Sequence, residues 1–187
     1  MAHLSIEELM ARFQVARQAG ELARPSDEQL RLHRELANDC PAFTPNLLML
    51  AWLLQRRLWT EREDARGAEM AFTDIQRVLE RAVAGSSRGA PALVELGAFL
   101  DTYREAPHEA ARLYEEAADK ALGTVKDAWR GLLRYWNAER TKETLEKALQ
   151  LGEVAERLFP EAPDLLEEIT TTRRYAEQEG LLTPGRT

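Results

Sequence analysis

Any catalytic machinery in this chain would have to come from few side chains. Glu105 and His108 have the Glu-x-x-His spacing of di-iron helical bundles, which need two such pairs and two further glutamates. Only one pair is present, and Pro107 interrupts it, so the spacing marks a turn. His3, His33 and His108 fall in separate segments with no second ligand three or four residues on, which excludes a zinc cluster. Cys40, beside Pro41, has no feature that would supply a base or stabilise a thiolate, and is expected as a small buried hydrophobe. Gly85 to Gly89 is glycine-rich but joins helix to helix, without the strand and terminal Lys-Ser/Thr of a phosphate loop. The pairs Glu115-Glu116 and Glu167-Glu168 point roughly 100° apart on a helix, which suits a solvated face better than joint acid and base work. No enzymatic activity, cofactor or metal is expected.

What remains is architecture. The 187 residues suffice for one domain or one elongated array with a real core. Leucine occurs 28 times against nine for valine and isoleucine together, a balance that favours helices over sheets. One cysteine excludes an internal disulfide, so a reducing, cytoplasmic setting is expected. No secretory signal is visible at the N-terminus, and the longest apolar run, Leu47 to Leu54, is far too short to span a bilayer. A net charge of −7 argues against direct nucleic-acid binding.

The eight prolines fall where apolar periodicity stops or restarts, and the segments between them predict about nine helices. Ser5 with Glu8 forms a capping box, Leu4 and Leu9 a staple, and Ile6, Leu9, Met10, Phe13 and Ala16 a buried stripe. Ser26 with Gln29 repeats the box ahead of Leu30, His33 or Leu32, and Leu36. The helix from Leu47 to Trp59 is apolar nearly all round, which predicts core packing; self-association through it is the alternative. Later helices are expected at Pro91 to Tyr103, His108 to Leu122, a Thr124-capped Val125 to Asn137, Lys142 to Leu158, and Pro163 to Glu179 with Gly180 as its cap.

These later helices repeat. Ile75, Leu79 and Ala82 recur as Ala110, Tyr114 and Ala117, then as Leu145, Leu149 and Gly152, in steps of 35 residues. Leu93, Leu96 and Leu100 recur as Trp129, Leu132 and Trp136, and then as Leu166 and Thr170, in steps of 36 and 34. Each triplet lies on one helix face, and the small last member of the first series marks close approach by a neighbouring helix. Leu96-Gly97, Leu100, Ala110, Tyr114 and Ala117, then Trp129 and Leu132, resemble the tetratricopeptide (TPR) repeat over about residues 70–180.

The resemblance implies an all-α, right-handed superhelix of antiparallel helix hairpins. Residues 1–69 would form a helical cap or subdomain, 70–180 the repeats and 181–187 a frayed tail. It also implies a concave groove lined by first helices. Carried onto this chain, the groove residues are Val94, Ala98 and Asp101, then Arg130, Arg134 and Asn137, then Asp164, Glu168 and Thr171. Arg130, Arg134 and Asn137 recur at helical steps and suit a carboxylate or acidic segment. The expected role is therefore an adaptor that holds a protein or peptide partner. The alternative is a dedicated inhibitor or immunity-type subunit covering a partner's functional surface.

Overall fold

The structure, a computed structural model, describes residues 5–60 and 65–183. Among the described residues there are eight helices and no strand: α1 (Ile6–Gln18), α2 (Asp27–Asp39), α3 (Thr44–Thr60), α4 (Ala65–Gly85), α5 (Ala90–Tyr103), α6 (Pro107–Glu139), α7 (Lys142–Leu158) and α8 (Pro163–Gln178). They divide into two compact units, residues 1–118 and 119–187.

Side chains cap the starts of α1, α2 and α7. The Ser5 hydroxyl accepts from the Glu8 amide at 3.1 Å while the Glu8 carboxylate accepts from the Ser5 amide at 2.8 Å, so the expected box is present. Leu4 and His3 lie outside the described residues. The Ser26 hydroxyl likewise accepts from the Gln29 amide, but the Gln29 side chain does not return to the cap. It is buried and donates from Nε2 to the Arg17 carbonyl, tying α2 to the end of α1. At the other end of the chain, Gly180 takes φ +72° beyond α8, and the Leu181 amide reaches the Ala176 carbonyl at 2.8 Å. That left-handed closure suits glycine.

In the first unit α1 packs on α2, α2 on α3, α3 on α4 and α5, and α4 on α5. Leu30, Leu47, Leu53, Ile75, Leu79, Leu93 and Phe99 are fully enclosed in its core. The apolar circumference of α3 is therefore mostly covered within the chain, while Trp59 at its end stays 71% exposed and donates from Nε1 to the Tyr103 hydroxyl at 3.0 Å. In the second unit α7 packs on α8, and Leu133, Ala148, Ala155, Leu165 and Ile169 form the core against Trp129, Trp136 and Phe159.

The small residues of the repeat do what their places require. A Cβ on Gly97 would stand 3.0 Å from Tyr114 Cε1, and one on Gly152 would stand 3.3 Å from Ile169 Cγ2. Ala82 and Ala117 are buried at the equivalent places.

Several expectations are corrected. The two helices expected on either side of Gly123-Thr124 are one continuous α6, so the described helices number eight rather than about nine. Nothing there forces a break. No proline intervenes, glycine inside a helix costs only about 1 kcal/mol, and the Thr124 hydroxyl donates back to the Lys120 carbonyl instead of capping. Leu132 is 43% exposed and Leu133 takes the core position. Ile6 and Met10 are exposed, because α1 packs on α2 and buries only Phe13 and Ala16. On α2 His33 is buried and Leu32 only half-buried.

His33 anchors a polar island in this core. Its Nδ1 donates to Asn46 Oδ1 at 2.6 Å, Asn46 Nδ2 donates to the His33 carbonyl at 2.9 Å, and the Phe13 ring meets the imidazole edge-on. Nε2 is buried with no hydrogen-bond partner among the described residues. Burial pushes the imidazole below the ordinary histidine range; the Asn46 bond opposes this and the Arg17 charge adds to it. The unfolded chain therefore takes up a proton that the folded chain refuses. Stability should be full above the ordinary histidine range of about pH 6.5 and fall as pH drops through it. Urea denaturation at stepped pH, above the range where carboxylates titrate, should show this fall, and its disappearance on His33→Gln would assign it to this residue.

Candidate partner-binding surface

The positions carried over from the repeat pattern fall into two groups, one in each unit. In the first, Val94 and Asp101 are exposed on α5 and Ala98 is half-buried, spaced so that they share a face. Gly97 lies among them under the Tyr114 ring. Partial desolvation, then the charges of Asp101 and Glu95, push the Tyr114 phenol upward, so the ring stays neutral over the whole physiological range.

In the second unit the structure joins α6 to α8 through four of these positions. Arg130 Nη1 donates to Asp164 Oδ2 at 3.1 Å, with Asp127 3.8 Å from its other terminal nitrogen. Asn137 is only 6% exposed. Its amide donates to the Glu168 carbonyl at 3.1 Å and to Glu168 Oε2 at 3.2 Å, while its oxygen accepts from the Thr172 hydroxyl at 2.8 Å. Asn137 thus clamps one helix to the next. Thr171 is half-buried beside this clamp. Arg134, between Arg130 and Asn137, is exposed and has no ion-pair partner among the described residues. A recess of about 40 Å³ lies beside Arg130, between Lys126 and the Pro163-Asp164 start of α8.

The residues considered for catalysis stay dispersed. Glu105 holds a left-handed turn conformation and His108 is exposed on the first turn of α6. Cys40 is half-buried. Glu116 receives a two-pronged contact from Arg88, which fastens the α4–α5 loop. That loop is the expected helix connection, with the Ser86 hydroxyl accepting from the Gly89 amide. Among the described residues no group of histidine, cysteine and carboxylates is placed to hold a metal, and no helix is long and apolar enough to cross a membrane.

Sequence reasoning missed two surfaces. One is a pair of recesses of about 360 and 190 Å³ between α2 and α4, floored by Leu50 and Leu54 and edged by Arg34, Asp74, Arg77 and Arg81. Arg81 reaches across to donate to the Ala37 carbonyl, and Arg77 pairs with Asp74, so much of this charge is used internally. The other is an exposed apolar stripe on α6, where Val125, Leu132 and Tyr135 are 36%, 43% and 57% exposed. Its 3-4 spacing is legible in the sequence, where the repeat pattern groups Leu132 with Trp129 and Trp136 instead.

Residues 1–87 match the Myxococcota tetratricopeptide repeat protein family. An uncharacterized 18.1 kDa protein in the carS 3′ region of Myxococcus xanthus is 35% identical over 174 residues, covering 91% of this chain and 95% of that protein. No solved structure matches.

Proposed function

Because this chain belongs to the Myxococcota tetratricopeptide repeat protein family, we propose that it is a non-enzymatic interaction module, an adaptor holding an acidic segment of a partner protein in the cytoplasm. The observation that supports this reading is Arg134. It presents an exposed guanidinium with no ion-pair partner among the described residues, between Arg130 and Asn137, which are both engaged with α8. Arg130, one turn earlier, exchanges a solvent-exposed pair with Asp164, and such a pair contributes about 0–1 kcal/mol, little enough for an incoming carboxylate to replace. Asn137 serves the surface by holding the spacing of α6 and α8. Asp164 and Glu168 form its acidic border and orient the incoming chain by repulsion. Val94, Ala98 and Asp101 offer a separate mixed apolar and acidic face on the first unit.

The test is affinity capture from the source cell with wild type, Arg134→Glu and Arg130→Glu/Arg134→Glu, each checked for unchanged helical circular dichroism. The expected result is one protein retained by wild type, weakened about tenfold by the single reversal and lost with the double. Equal retention by all three would overturn this surface as the determinant and favour the broader footprint of an inhibitor.

A further inference from the structure

The middle of α6 is apolar on two faces, and only one of them has a partner within the described chain. Trp129, Leu133 and Trp136 turn into the core of the second unit. The adjoining face carries Ala121, Val125, Ala128, Leu132 and Tyr135, all exposed, with Gly131 leaving bare backbone beside them. These residues follow one another at steps of four, three, four and three, the seam of a helix that packs along another helix. A helix with two apolar faces is normally enclosed on both.

We propose that this face pairs with the same face of a second copy of the chain, antiparallel, about a two-fold axis between Lys126 and Asp127. The order of side chains selects this occupant. An isologous contact requires that when residue i meets residue j, j also meets i. Reversing the helix about that axis sets Val125 against the partner copy's Ala128 position and Leu132 against its Ala121 position. Every large residue between 121 and 132 then faces a small one. Large against small lets two helices approach closely without voids or overlap, and a mirrored alternation is the pattern a helix needs to complement itself. Arg130 and Arg134 lie on the far side of α6 at 100° per residue, so pairing leaves the proposed partner surface open. The contact is short beside a standing interface of about 1,600 Å², so the pair forms reversibly over the micromolar range.

Sedimentation equilibrium of the full chain across that range tests the pairing. Wild type should shift from the monomer mass to twice that mass, and Leu132→Glu should stay monomeric with unchanged circular dichroism. A wild type that is monomeric throughout overturns the proposal. The register is tested by disulfide trapping in a Cys40→Ser background. Leu132→Cys mixed with Ala121→Cys should give the crossed dimer. Neither protein should cross-link to itself, because in this register its thiols sit eleven residues apart (132 minus 121), about 16 Å along the axis, beyond disulfide reach. Self-cross-linking of Leu132→Cys without the mixed product would indicate parallel pairing and overturn the antiparallel arrangement.

Discussion

Leu133→Ala is expected to destabilise the second unit by about 2–5 kcal/mol, and Leu132→Ala by less than about 1 kcal/mol. Leu133 is fully enclosed among Ala148, Ala155, Leu165 and Ile169, and truncating it leaves a cavity that the ridge of α7 against α8 can collapse only in part. Leu132, one residue earlier, is 43% exposed and fills no such space. Trp129 and Trp136 border this core, so their fluorescence reports its melting. Thermal unfolding of the two variants at low protein concentration, where the α6 seam is unpaired, should separate them by many degrees. Equal shifts would mean that α6 is rotated from the arrangement described.

The second large effect is expected at Asn46. Asn46→Ala removes the acceptor of His33 Nδ1 and the donor to the His33 carbonyl together, in a site where both residues are fully buried. The imidazole N–H left unpaired carries a desolvation cost of about 1–3 kcal/mol, while the His33 carbonyl, inside α2, keeps its helical amide donor, so the substitution should cost about 1–3 kcal/mol. An apolar replacement of both partners, His33→Leu with Asn46→Leu, should recover much of that loss, because no buried polar group is then left unpaired. A double-mutant cycle by urea denaturation measures the coupling; additive losses would contradict the account.

The contrast between Leu132 and Leu133 shows what the sequence could specify. Trp129, Leu132 and Trp136 are spaced three then four, and Trp129, Leu133 and Trp136 four then three. Both lie on one helix face. Periodicity fixes the face to within one residue, and the core that forms against α7 and α8 decides between them. The Ser5–Glu8 box and the approaches at Gly97 and Gly152 were legible because each depends on chemistry local to a few positions. The junction at Gly123-Thr124 was not, since glycine and threonine permit a break without compelling one. The resemblance to a repeat pattern supplied Arg130, Arg134 and Asn137 as a set. The distinction among them, one arginine paired to Asp164, one exposed, and an asparagine enclosed by Glu168 and Thr172, depends on residues about thirty positions away. No local pattern encodes it.

The packing of α1 on α2, α2 on α3, α3 on α4 and α4 on α5 has a kinetic meaning. Contacts between chain neighbours close short loops, so little entropy must be spent before an attractive contact rewards it. During synthesis each helix of the first unit can dock as soon as its predecessor has emerged, without waiting for a distant segment. The apolar α3 is the element that most needs such promptness. Its partner α2 precedes it and α4 follows directly, so it spends little time as an uncovered hydrophobic rod in a crowded cell.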